Sequence, residues 1–246
     1  MKIYPLDEVF QILERLKTIP HLKLDSNIDV ENVIPEMSHA VRWDPFKLRK
    51  FNQGQVNEVV FEKLPLYIAE GLIDVTDNGG ESNYQISIEQ TKKDFNEITD
   101  YRITELGKKC PNAISLIQQY IDYATKCKFS KLNANEPVQD WHAHSYVGGN
   151  IRNFSIHWPL ITNDNVMFIV RKEKGTKEIA QHYAKGEVWL LNTWWDHMVI
   201  NEGNSDRYHL WGAANLYATS PYVHSHNHKL LHYIEKALDS YNGPYL

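Results

Sequence analysis

From residue 127 onward the chain breaks into short β-type runs at 129–132, 154–160, 166–171, 188–192, 198–201 and 208–216, each bounded by turn residues. Regularly spaced strands this short build a sandwich or a barrel, so the expected fold class is mainly β with helical additions. Alternation along a strand then decides which side chains share a face. His197, Val199 and Asn201 point one way, opposed by Met198 and Ile200. Arg207, His209 and Trp211 oppose Tyr208 and Leu210, while Ser155 and His157 oppose Phe154, Ile156 and Trp158. If these faces turn inward, one barrel gathers His157, His197, Arg207 and His209. An interior is ordinarily apolar, so such a cluster calls for a chemical reason.

The first half is less regular. Leu6, Val9, Phe10, Leu13 and Leu16 form one apolar stripe, which predicts a helix ending before Pro20. Val59-Val60-Phe61, Leu66-Tyr67-Ile68 and the alternating Tyr84-Gln85-Ile86-Ser87-Ile88 read as strands or short helices around the turn signal Asp77-Asn78-Gly79-Gly80. A helix is expected over 111–126, with Pro111 in its first turn and Ile114, Ile117, Ile121 and Ala124 on one face. Leu230, Leu231, Ile234 and Leu238 mark a terminal helix. Without linker or repeat, the 246 residues read as one domain. Its parts are a mixed N-terminal extension (1–127) shaping the pocket, a β core (128–217) and a C-terminal helix (218–246).

Composition narrows the partners. The formal net charge is -5 and no basic run stands out, so neither nucleic acid nor an anionic membrane is expected. MKIYPLDEVF builds no apolar core of a signal peptide, and no stretch is long and apolar enough to span a bilayer. The two cysteines, Cys110 and Cys127, form no CxxC pattern and have no activating neighbour, which suits inert thiols in a reducing cytoplasm. His224-Ser225-His226-Asn227-His228 has the look of a metal tract, but beyond the barrel strands it reads better as a solvated turn before the last helix.

The run Gly186-Glu187-Val188-Trp189-Leu190-Leu191-Asn192-Thr193-Trp194-Trp195-Asp196-His197, followed by Arg207, resembles the aspartyl/asparaginyl β-hydroxylase and proline hydroxylase family of Fe(II)/2-oxoglutarate-dependent oxygenases. The distal metal histidine of that family lies eleven residues after the glycine (197 − 186 = 11), and an arginine follows ten residues later (207 − 197 = 10). Phe154-Ser155-Ile156-His157-Trp158-Pro159-Leu160 is similar to the family's His-hydrophobic-Pro-Leu strand. The resemblance implies a double-stranded β-helix (jelly-roll, cupin-like) core and His197 as an iron ligand. It also implies Arg207 on the distal carboxylate of 2-oxoglutarate, with His157 touching the co-substrate. A guanidinium fork suits that carboxylate in bidentate fashion.

At the proximal site the chain departs from the family pattern. Asp140-Trp141-His142-Ala143-His144-Ser145-Tyr146 places His142 as proximal ligand and His144 where the carboxylate would stand. Three arrangements are open: His144 is a third ligand, or it stands aside for water, or it is itself the proximal ligand with Tyr146 at the carboxylate position. Ser155 occupies the place of the family's second arginine, for which Arg152 is a candidate substitute. Trp194 and Trp195 are core packing or a wall keeping water from the metal, and with Tyr146 and His209 they are candidates for the substrate pocket. The expected function is Fe(II)/2-oxoglutarate-dependent hydroxylation, with O₂, of an amino acid, an amino-acid derivative or a peptide side chain, releasing succinate and CO₂. A cupin-type metalloenzyme without 2-oxoglutarate and a non-catalytic binding barrel are the alternatives.

Overall fold

The alternating runs after residue 127 become strands, and successive strands are dealt to two facing sheets. A computed structural model of the chain describes residues 2–39, 44–49, 56–69, 101–122, 127–135, 141–143, 154–213, 216 and 227–246. Their order is α1 (Leu6–Leu16), β1 (His21–Asp25), a 3₁₀ turn (Ile34–His39), β2 (Asp44–Arg49), β3 (Val56–Pro65), β4 (Tyr67–Ala69) and β5 (Tyr101–Ile103). Then come α2 (Glu105–Lys108), α3 (Pro111–Tyr120), β6 (Cys127–Leu132), β7 (Phe154–Ile161), β8 (Val166–Arg171), β9 (Ile179–Gln181), β10 (Val188–Asn192), β11 (Asp196–Asn201), β12 (Arg207–Ala213) and α4 (His228–Asp239). The large sheet runs β1-β10-β7-β12-β6-β3-β2 and the small one β11-β8-β9; β4 and β5 form a separate ribbon. The stretch 141–143 adds to the small sheet through an antiparallel bridge between His142 and His197. From β6 to β12 the chain therefore visits large, small, large, small, small, large, small and large sheet in turn. That winding is a double-stranded β-helix, the expected core.

The large sheet is wider than the core read from the sequence, because β1 pairs with β10 at one edge and β3 with β6 at the other. Its outer face carries α1, α3 and α4 over one large apolar cluster that includes Phe129, Ile156, Trp158, Leu190 and Leu210. The small sheet covers the inner face, and both faces of β7 are consequently buried. Interior strands of an antiparallel sheet lose their polar alternation when covered on both sides.

Two helices differ from expectation. In α1 the buried stripe is Val9, Ile12, Leu13 and Leu16, whereas Leu6 and Phe10 are each 43% exposed, so the helix is rotated from the stripe that sequence spacing picks. The helix expected over 111–126 stops at Tyr120, where Ile121 turns extended (φ -125, ψ 122) yet stays buried. Its start is fixed from afar: the buried Glu36 carboxylate accepts from the Asn112 and Ala113 amides at 2.8 Å each, an anion satisfying orphan N–H groups of a first turn. The last strand spans Arg207–Ala213, and residues 214–215 of the expected run to 216 lie outside the described residues. The alternation at 84–88, Ala124 and the 224–226 part of the histidine tract fall outside the described residues. His228 begins α4, and its Nδ1 accepts from the Tyr4 amide at 3.2 Å. None of the described helices is long and apolar enough to cross a membrane. Cys110 and Cys127 are free and buried, and burial raises both thiols, Cys110 to about 12.

Candidate active site

Alternation places every second residue of the large sheet between the two sheets. On β7 these are Ser155 and His157, on β12 Arg207 and His209, and all four are buried. Phe168 of β8 is the common floor of His157, Arg207 and His209. Its ring lies 4.9 Å from His157 and 5.5 Å from His209, centroid to centroid, and 5.4 Å from the Arg207 Cζ. The two imidazoles are 5.8 Å apart. The register slips where Tyr208 and His209 face Ile161 and Pro159, giving β7 one extra residue beside a proline that has no N–H to donate.

This interior is polar but poorly satisfied. Among the described residues, neither ring nitrogen of His209 has a hydrogen-bond partner, nor does Nδ1 of His157 or Nε of Arg207. His157 Nε2 meets Ser155 Oγ at 2.9 Å. Burial, and then the charge of Arg207, push both imidazoles well below the ordinary histidine range, so they are neutral at pH 7. Burial draws the Arg207 guanidinium down to about 9, which still leaves it cationic at neutral pH. A buried cation among unused hydrogen-bonding groups is a seat for a small anion.

On the small sheet, His142 N donates to His197 O at 3.2 Å and His197 N donates to His142 O at 2.9 Å. Residues directly opposed in this way turn their side chains to one face, and the two rings stand 4.3 Å apart. His197 Nδ1 lies 3.1 Å from Trp195 O, which only accepts, so Nδ1 carries the proton and the lone pair is on Nε2. Next to this pair, Trp141 stacks 3.7 Å from the Arg171 Cζ, and Arg171 reaches Asp196 at 3.5 Å and Glu178 at 3.3 Å. The carboxylate adjoining His197 is thereby engaged away from the histidine pair. No trio of His, Cys, Asp or Glu able to hold a metal occurs among the described residues. His144, Tyr146 and Arg152 lie outside them.

The model of the aspartyl/asparaginyl β-hydroxylase family matches residues 8–213, most of the chain. The chain belongs to that family. As an aspartyl/asparaginyl β-hydroxylase family member it is a hydroxylase that uses Fe(II) and 2-oxoglutarate. No individually curated protein matches it. Among solved structures, a 2OG-Fe(II) oxygenase family oxidoreductase from Burkholderia pseudomallei aligns at 10% identity over 84% of this chain and 91% of that one, TM-score 0.48. A Pseudomonas putida prolyl-4-hydroxylase aligns at 12% identity over 83% and 96%, TM-score 0.43. A Trichoplax adhaerens prolyl hydroxylase, in complex with a hypoxia inducible factor peptide fragment, aligns at 12% over 83% and 87%, TM-score 0.46.

The residues fit the family's two groups. His142 and His197 present neighbouring imidazoles, with the outer nitrogen of His197 fixed by a backbone carbonyl, as metal-binding histidines commonly are. Arg207 supplies a buried cation without an ion-pair partner among the described residues, suited to a carboxylate. Between them, His197 pairs with Val170 and Val199 with Phe168 across the small sheet. Two residues along a strand is about 7 Å. Four carbon–carbon bonds of about 1.5 Å give a five-carbon diacid a comparable reach.

Several contacts that support this site in the hydroxylase were not legible in its sequence. Gly186 takes φ +78, which favours glycine, and Glu187 then accepts from the Ala184 amide (2.9 Å) and the Trp189 indole (2.7 Å), fixing the turn into β10. Asn201 Nδ2 donates to Asn133 O (2.9 Å) and Ser205 O (3.0 Å), setting the loop that delivers Arg207 to the opposite sheet. Asn201 shares the buried face of His197, a signal open to sequence reading. Tyr183 stacks between Phe168 and Trp189 and lies 2.8 Å from His21 Nδ1. Only the paired fold joins those distant residues. Trp195 donates to Lys17 O at 2.8 Å and packs on the inner cluster, whereas Trp194 is 38% exposed.

Proposed function

We propose that His142 and His197 hold the Fe(II), with His144 the candidate for a third ligand, and that Arg207 anchors the distal carboxylate of 2-oxoglutarate with His157 beside it. The observation carrying this reading is the pairing of His142 with His197 on one sheet while the buried, cationic Arg207 faces them from the other. Iron with 2-oxoglutarate supplies activation of O₂ for C–H hydroxylation, with succinate and CO₂ as co-products. The chain's own part is to orient and to exclude water. Trp195 N–H is spent on Lys17 O, and its ring seals one side of the inner cluster. The proton on His197 Nδ1 is held by Trp195 O, which leaves Nε2 as the basic nitrogen for the metal.

The substrate is an amino acid, an amino-acid derivative or a peptide side chain. Its pocket includes Tyr146 and Trp195, with Trp194 at the rim, and the N-terminal 1–127 segment shapes the remainder; Arg152 is a candidate for the co-substrate side of the site. Support for a peptide is by analogy: one similar solved structure is a prolyl hydroxylase with a peptide fragment. Free, buried thiols at Cys110 and Cys127 support a reducing, cytoplasmic home. The test is release of labelled CO₂ from 2-oxoglutarate carrying label at C1, with Fe(II) and O₂, across a panel of amino acids and peptides. Stimulated release with one class, lost in His197→Ala, is expected. Release indifferent to both His142→Ala and His197→Ala contradicts the assignment.

A further inference from the structure

The inner face holds one group that neither the metal pair nor the arginine anchor uses. His209 is completely buried, and among the described residues both its nitrogens lack partners. A core histidine kept for packing alone would have at least one nitrogen bonded, because a buried unsatisfied polar atom is costly. The ring lies nearly flat against Phe168, at 25° and 5.5 Å, beside the Arg207 guanidinium that approaches the same ring. Arg207 and His209 stand two apart on one strand face, so both reach the same side of the interior.

The need for a second donor is also on this face. Ser155 stands where a second arginine was expected, its hydroxyl is engaged with His157 Nε2 at 2.9 Å, and Arg152, the candidate substitute, lies outside the described residues. A carboxylate has about four lone-pair sites, and a bidentate guanidinium fills two of them. We propose that His209 is the second group gripping the distal carboxylate of the dicarboxylate co-substrate, donating one N–H beside the Arg207 fork. His209 is then a binding residue that selects a diacid over a monoacid. The inference rests on the assignment of Arg207 as carboxylate anchor.

Mn(II)-loaded full-length protein, which binds without turning over, separates the two claims by calorimetric titration with 2-oxoglutarate and with 2-oxopentanoate, the same chain lacking the distal carboxylate. His209→Phe keeps a ring on Phe168 and removes both nitrogens. It is expected to weaken 2-oxoglutarate roughly ten-fold to a hundred-fold, as for one hydrogen bond to a charged group. Affinity for 2-oxopentanoate should not change, and His209→Gln, which keeps an N–H donor, should recover much of the loss. His209→Leu repeats the test should the phenylalanine variant not fold. Equal weakening of both ligands, or of neither, overturns the role of His209 while leaving Arg207 in place. Failure of the unaltered protein to prefer 2-oxoglutarate, with Arg207→Met equally indifferent, overturns the anchor itself and the inference with it.

Discussion

The outer face of the large sheet and the space between the sheets are made from alternate residues of the same strands, and they follow opposite rules. On β7 the outer residues are Phe154, Ile156, Trp158 and Leu160; the inner ones include Ser155 and His157. On β12 the outer face has Leu210 and the inner face Arg207 and His209. Outside, apolar side chains close against α1, α3 and α4, and Gly212 sits where a Cβ would crowd Cys127 and Ile156, at 3.0 and 3.2 Å. Inside, aromatic rings surround polar atoms that the described residues leave unsatisfied. On the proposed assignment one strand serves stability with one set of residues and ligand binding with the other, and a substitution should affect mainly the property of its own face.

The strongest challenge to that division comes from the outer face. Phe129→Ala removes a fully buried ring and should cost about 3–5 kcal/mol of stability, measured by urea unfolding. A cost near that of a surface change would show that the helical layer is not the stabilising core. On the inner face, Arg207→Met should leave the urea midpoint unchanged or raised, since it removes a buried charge that has no ion-pair partner among the described residues. It should nevertheless weaken 2-oxoglutarate binding by about 2–5 kcal/mol. A large loss of stability in that variant would mean the arginine is structural.

Acid probes the inner face as a whole. Burial lowers His21 to about 4, and His157 and His209 move in the same direction, so the unfolded chain takes up protons that the folded one refuses. Stability is therefore full above pH 6.5 and falls as the pH drops towards 4. His21 alone should remove about 1.4 kcal/mol per pH unit in that window. Thermal midpoints that stay flat from pH 7 to 5 would contradict the burial of these rings. The smallest effect is expected at the surface: Trp194→Ala should change stability by no more than about 0.5 kcal/mol.

Much of the core was legible because the information is local. The strands from 154 to 213 announce themselves by turns and alternation, so His197 and Arg207 could both be placed on the barrel's inner face from sequence, while their division between facing sheets came from the structure. What could not be read depends on distant pairing. β1 shows only the burial pattern of a partly covered edge, and nothing near it in sequence names β10 as its partner. The bridge between His142 and His197 joins residues 55 positions apart (197 − 142 = 55). The end of α3 is not legible because Ile121 is buried whether the helix continues or turns extended there, so hydrophobic spacing alone carries no stop signal.

The central claim is that this interior binds Fe(II) through the histidine pair and 2-oxoglutarate through Arg207. Anaerobic titration of the Fe(II)-loaded protein with 2-oxoglutarate, followed by visible absorption, tests it most directly. The account predicts a metal-to-ligand charge-transfer band that saturates with 2-oxoglutarate, is lost in His197→Ala and needs more ligand in Arg207→Met. Iron demonstrably bound, with no such band at saturating 2-oxoglutarate, would contradict it.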